Sequence, residues 1–143
     1  MANIVSDQYS LATADLFHAA SAVRDKSHSP YSKFPVGAAI RTTAGDVFAG
    51  CNVENASYPE GTCAESGAIA MMVAQSADVP LIAEIVTVAA GETPGTPCGG
   101  CRQRIREFSS DSTQIHSTTP TGIVLTMSME ELLPASFGPE RLL

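Results

Sequence analysis

The sequence predicts a three-layer α/β/α sandwich around a mixed five-stranded sheet. Three observations carry this prediction. Helical and strand-like segments run in the order α-β-β-α-β-α-β-β-α, so helices alternate with single strands in the middle of the chain. A pair of consecutive strands lies on either side of that middle, which makes the sheet mixed rather than wholly parallel. The 143 residues are 44% hydrophobic and 16% charged, enough apolar material for a core and too little charge for extended disorder. Residues 1–143 read as a single domain.

The first element spans Asp7 to Lys26. Leu11, Ala12, Ala14, Leu16, Ala19, Ala20 and Val23 give it the pattern of an Ala-rich amphipathic helix. Proline in Ser27-His28-Ser29-Pro30 forbids its continuation. Pro35 to Ile40 reads as a strand, Thr43-Ala44-Gly45-Asp46 as a turn, and Val47 to Val53 as the returning strand of a hairpin. A helix from Cys63 to about Gln75 follows, with Ala68, Ile69, Met72 and Val73 on its apolar face. Glu84 to Ala90 is a strand apolar on both faces, and Gly91 to Pro97 a Gly/Pro/Thr loop. Cys98 to Phe108 is a short helix whose Arg102, Arg104 and Arg106 read as a charged, solvated face. Gln114 to Ser117 is a weak strand and Gly122 to Met127 a better one. Ser128-Met129-Glu130-Glu131 has capping-box spacing for one helical turn, Met129 to Leu133.

Composition excludes several functions. Fifteen acids against eight bases give a net charge of −7, which repels a phosphate backbone and argues against nucleic acid as a partner. No apolar run reaches the ~18 residues that span a bilayer. The N-terminal MANIVSDQYS has neither the basic nor the apolar region of a secretory signal, so we expect a cytoplasmic protein. Cytosolic thiols stay reduced, so Cys51, Cys63, Cys98 and Cys101 need a reading other than disulfides.

That reading is a metal. Cys63 and the Cys98/Cys101 pair each open a predicted helix, where free N–H groups and the helix dipole favour the thiolate. Two helix N-termini meeting at one point could gather three thiolates around one zinc. Three protein ligands leave the fourth position for water, the mark of a catalytic site. Glu65, two residues beyond a ligand, lies where a carboxylate could move a proton from that water. A closed site that adds Cys51 is the structural alternative. Cys51 falls inside a strand pattern, however, and reads as a core thiol. His18, His28 and His116 match no ligand position and read as surface or helix-end residues.

Cys63-Ala64-Glu65 followed by Pro97-Cys98-Gly99-Gly100-Cys101 resembles the zinc deaminase signature. Ser29 to Ala39, Gly50 to Tyr58, Cys101-Arg102-Gln103, Leu132-Leu133-Pro134 and Phe137 to Glu140 extend the likeness to the small three-cysteine cytidine deaminases. The resemblance implies hydrolysis of a cyclic amidine C–N bond: cytidine and 2′-deoxycytidine become their uridine counterparts with release of ammonia, as in pyrimidine salvage. It implies one Zn²⁺ per subunit held by Cys63, Cys98 and Cys101. Water activated on that zinc would attack C4, with Glu65 as proton shuttle. It further implies Phe34 packing on the nucleoside, Asn52 and Glu54 binding ribose hydroxyls, and the Ala64 backbone touching the base. Ala56, Tyr58 and Phe137 would complete a neighbour's site in a homotetramer. Taken singly, Phe34 reads as core, Asn52 and Glu54 as a solvated strand face, and Phe137 as a terminal docking residue.

Two other functions stand beside this one. A deaminase for a modified cytosine nucleoside such as blasticidin S would share the zinc motifs. A catalytically silent zinc-binding oligomerisation module would share only the ligands. One position departs from the family pattern, which has arginine directly after the glutamate; here it is Ser66. We expect backbone N–H groups near Glu65–Gly67 and Gly100–Arg102 to balance the thiolate charge, the Ser66 hydroxyl adding a weak donor. An arginine from elsewhere, Arg102 being nearest in sequence, is the alternative.

Overall fold

The computed structural model describes residues 2–3 and 11–143, with side chains from Thr13 onward. The first helix, α1, spans Leu11–Arg24; residues 7–10 of the expected helix lie outside the described residues. Strand β1, Ala2–Asn3, precedes it. The hairpin is β2 (Val36–Thr42) and β3 (Val47–Cys51), with Ala39 opposite Ala49. Its turn closes through the Thr42 carbonyl, which accepts from Gly45 N at 2.9 Å, and Gly45 takes a φ of +95° that favours glycine. Helix α2 spans Ala64–Gln75, β4 Ile82–Ala89, α3 Gly99–Glu107, β5 Ser109–Thr118, β6 Ile123–Ser128 and α4 Met129–Leu132. The capping box at α4 is present: Ser128 Oγ accepts from Glu131 N, and the Glu131 carboxylate accepts from Ser128 N at 2.8 Å.

The sheet order is β1-β6-β5-β4-β2-β3. Among the described strands, β4 and β5 alone pair in parallel, across the α3 connection, and the other strand pairs are antiparallel. The mixed sheet of five strands is therefore as expected, and β1 adds a two-residue edge beside β6. Strand β5 is longer than its sequence suggests. Its hydroxyls find backbone acceptors: Ser109 Oγ donates to Ile105 O at 2.6 Å, Thr113 Oγ1 to Ile82 O at 2.8 Å, and Thr118 Oγ1 to Thr87 O at 2.8 Å. Those bonds make a polar run suitable for an interior strand.

Strand periodicity sends alternate side chains to opposite layers. Ala38, Ile40, Ile85 and Ile115 pack with Ala64, Ala68, Ile69 and Met72 of α2, Ile105 of α3, and Met129 and Leu132 of α4. Ala39, Val86 and Val88 pack on the other face with Leu16 and Ala20 of α1. Two helical layers thus cover one sheet. Leu16 is fully buried, and truncating it to alanine should cost about 2–5 kcal/mol. Val73, expected on the apolar face of α2, is exposed instead; Ala64 and Glu65 take the buried face at the start of that helix. The site depends on how closely α2 approaches β3. A Cβ on Gly50 would stand 2.3 Å from Ala68 N and 2.5 Å from Gly67 C, so only glycine permits this contact. Among the described residues no helix is long and apolar enough to cross a membrane.

Candidate active site

Cys63 is the N-cap of α2 and Cys98 the N-cap of α3. Both have extended backbones, and neither side chain caps its own helix. The thiols are thereby free to point at each other. Cys101, in the first turn of α3, completes the group: the three sulfur atoms lie within 4.8 Å of one another. Cys63 and Cys98 Sγ are 3.9 Å apart. Zn–S bonds of ~2.3 Å at tetrahedral angles place sulfurs about 3.8 Å apart, so the geometry suits one zinc. Cys51 ends β3 outside the cluster, half-buried where a core thiol was expected.

The protein itself favours the thiolate at Cys98 alone, not at all three helix-start cysteines as expected, because burial outweighs the helix N-terminus at Cys63 and Cys101. The Cys101 backbone N–H donates to Cys98 and holds that thiol below its ordinary value. Burial pushes the Cys63 thiol up. Burial, and then the neighbouring Glu65 carboxylate, pushes Cys101 up. A divalent cation reverses that preference and deprotonates its thiol ligands. Glu65 is buried in the first turn of α2, and burial raises its carboxyl above the usual range. A carboxyl so tuned is suited to taking and returning a proton.

A cavity of about 540 Å³ opens from Cys63 and Cys98. Its walls include Glu65, Ala64, Phe34, Asn52, Glu54 and Tyr58. That volume lies in the range of small-molecule sites. Thr87, which no motif pointed to, also lines it, and its Oγ1 is buried without a hydrogen-bond partner.

The residues 12–117 match the family model described as "Cytidine and deoxycytidylate deaminase zinc-binding region". The chain belongs to this family. It is 40% identical over 119 residues to a cytidine deaminase of Sporosarcina psychrophila, covering 83% of this chain and 86% of that one. The crystal structure of cytidine deaminase from Burkholderia pseudomallei superposes with a TM-score of 0.81 at 40% identity, covering 87% of this chain and 98% of that one. That of the Mycobacterium tuberculosis cytidine deaminase gives a TM-score of 0.77 at 29% identity, over 90% and 99% of the two chains.

Within this deaminase-family site, Asn52 and Glu54 have structural duties that the sequence did not show. Asn52 Oδ1 accepts from Val36 N at 2.8 Å and from Ser27 Oγ, while Nδ2 donates to Phe34 O at 2.9 Å. Glu54 Oε1 accepts from Tyr31 N at 3.0 Å and Ser32 N at 3.1 Å, and Oε2 from Ser32 Oγ. The Ser32 hydroxyl bond leads the effects that hold Glu54 below the usual carboxylate range. Together they clamp the segment that carries Phe34. That clamp matters because Lys33, just before Phe34, has a φ of +57°, a conformation costing roughly 1–3 kcal/mol outside glycine. Phe34 is 44% exposed at the cavity wall, so it is not core. Tyr58 is exposed beside Tyr31, ring centroids 5.7 Å apart. Ala56 and Phe137 are exposed and lie outside the cavity wall. The Phe137 carbonyl accepts from Gln103 Nε2 at 2.9 Å.

Of the three arginines of α3, Arg104 is exposed as a charged helix face would be, whereas Arg102 and Arg106 are half-buried staples. Arg102 donates to Pro97 O at 2.8 Å, Leu132 O at 2.9 Å and Thr96 Oγ1 at 3.1 Å, binding the loop before Cys98 to the end of α4. Arg106 holds Ser136 Oγ at 2.8 Å and Glu140 at 2.9 Å. Arg104 Nη1 donates to Cys101 Sγ at 3.8 Å. The expectation that backbone alone balances the thiols is therefore corrected: the Cys101 N–H serves Cys98, and an arginine serves Cys101. His116 is a second correction. It is buried in β5 rather than at the surface, with Nδ1 2.8 Å from Thr126 Oγ1 and Nε2 3.5 Å from Glu84 Oε1.

Proposed function

We propose that this chain is a zinc-dependent deaminase that hydrolyses cytidine and 2′-deoxycytidine to uridine and 2′-deoxyuridine, releasing ammonia. The observation that carries this is the meeting of three thiols and a buried glutamate at one end of a nucleoside-sized cavity. Relatives that bear the name cytidine deaminase support it. Cys63, Cys98 and Cys101 hold the zinc, one per subunit. When bound, zinc supplies the Lewis acidity that makes water nucleophilic near neutral pH.

The chain's own residues do the rest. Glu65 takes a proton from the attacking water and gives it to ring N3 of the base. It then takes the proton of the new C4 hydroxyl and delivers it to the departing 4-amino group, so that ammonia leaves as the C4 carbonyl forms. Its burial excludes bulk water from that exchange. Phe34 packs against the nucleoside, and the Ala64 backbone contacts the base. Asn52 keeps one amide N–H, and the Glu54 carboxylate keeps spare lone pairs, for ribose hydroxyls. The exposure of Ala56 and Phe137 suits side chains that complete a neighbour's site, and Tyr58, though it lines its own chain's cavity, is exposed enough to reach one as well, so we assign a homotetramer of single-domain chains, residues 1–143, acting in the cytoplasm. The net charge of −7 suits a free nucleoside rather than nucleic acid.

The test is an ultraviolet assay of the zinc-loaded protein on cytidine, deoxycytidine and blasticidin S. Turnover of the first two is expected. Turnover of blasticidin S alone would move the substrate to a modified nucleoside, and turnover of none would leave a silent zinc module.

A further inference from the structure

We propose that Arg104 is a positioning residue for the metal centre: its guanidinium carries the positive charge that balances the thiolates where Ser66 cannot. The inference rests on the zinc-site reading above and adds a residue to it.

The geometry begins with spacing. Cys101 and Arg104 are three apart on α3, so their side chains share one helix face. Nη1 of Arg104 lies 3.8 Å from Cys101 Sγ. Cys101 is 0% exposed, so a charge on its sulfur has no water to spread into. A fixed donor is worth most in such a place. The neighbouring arginines cannot fill this role. Arg102 directs Nε, Nη1 and Nη2 at Pro97, Leu132 and Thr96, and Arg106 is held by Ser136 and Glu140. No hydrogen bond joins Ser66 to the three thiols among the described residues.

Gly100 borders the same guanidinium. A Cβ there would stand 2.9 Å from Arg104 Nη1. The guanidinium is the end of a flexible side chain, so a Cβ at this position would push it away from its place beside Cys101 at little cost. Chemically, three thiolates and Zn²⁺ sum to one negative charge, which weakens the metal as a Lewis acid. A guanidinium N–H on one sulfur withdraws electron density from the metal and restores neutrality to the group.

The experiment compares wild type with Arg104→Gln, Arg104→Lys and Gly100→Ala. Zinc affinity is read by chelator competition, and the sulfur-to-metal absorption band is read on cobalt-substituted protein. Arg104→Gln should weaken zinc about 10–100-fold, as loss of such outer partners does, and move the cobalt band to lower energy. It should lower kcat for cytidine while leaving KM within about twofold, because Arg104 does not line the cavity. Arg104→Lys, which keeps a point charge, should recover most of the zinc affinity. Gly100→Ala should shift the band the same way by pushing the guanidinium aside. Wild-type zinc affinity and an unmoved cobalt band in Arg104→Gln would overturn the inference, even if stability dropped. Zinc-loaded wild type that leaves cytidine untouched would instead overturn the proposed function, and the metal measurements would still decide the role of Arg104.

Discussion

The sulfur atoms of Cys63 and Cys98 stand 3.9 Å apart, each at the N-cap of a different helix. That spacing is near what a shared tetrahedral ion imposes, and it is too long for a disulfide, whose S–S bond is ~2.05 Å. The purified protein should carry about one zinc per chain. Cys98→Ser should lose most of it, whereas Cys51→Ser should keep it, since Cys51 lies outside the cluster. Metal analysis of the two variants decides this. Loss of zinc from Cys51→Ser would contradict the three-ligand site.

Glu65 gives the sharpest test of chemistry. Glu65→Gln keeps shape and hydrogen bonding but cannot carry a proton. Zinc content should be unchanged, and turnover should drop by at least ~10²–10⁴-fold, the usual contribution of a general acid–base group. Turnover near the wild-type rate, measured on the zinc-loaded variant, would remove Glu65 from its role.

The fold was largely legible because its signals are local. The Ser128/Glu131 capping box, the Thr43–Asp46 turn and the apolar alternation of Glu84 to Ala90 each act over a few residues. The three cysteines and Glu65 were legible because helix starts place them together. What the sequence hid is what tertiary partners decide. Arg102, Arg104 and Arg106 look alike at a spacing of two, and only the packing of α3 against residues 132–140 separates a staple from a thiol donor. His116 has serine and threonine after it and reads as exposed until Thr126 and Glu84 close around it. Asn52 and Glu54 fit a ribose grip on paper. Their bonds to residues 31–36 appear only once the segment before β2 folds back on them.

Phe137 tests assembly. The residue is 58% exposed and is not among those that line the cavity of its own chain. Phe137→Ala should raise KM for cytidine several-fold with zinc content unchanged, because in the proposed tetramer the ring enters a neighbour's site. Sedimentation of the wild type should give a tetramer. A fully active monomer would contradict shared sites.

The last prediction concerns pH and a cluster remote from the cysteines. Glu84 lies on the α1 face of β4, where its Oε1 accepts from Thr13 Oγ1 at 2.7 Å and meets His116 Nε2 at 3.5 Å. The His116 hydrogen bond is the main cause that holds this carboxyl below its usual value, helped by Thr13 and by the charges of His116 and Arg41. A carboxyl lowered in the folded state binds fewer protons there than in the unfolded chain. Its contribution to stability is therefore complete above the ordinary carboxylate value, about 4.3, and disappears as pH falls through the folded value. Glu84→Gln should cost about 1.5–3 kcal/mol near neutrality, the range for a hydrogen bond to a charged group. It should also flatten the acid side of the stability curve, so that wild type and variant converge at low pH. Urea unfolding at about pH 6.5 and about pH 3 measures both. A constant difference between the two proteins across that range would show that Glu84 acts through packing alone.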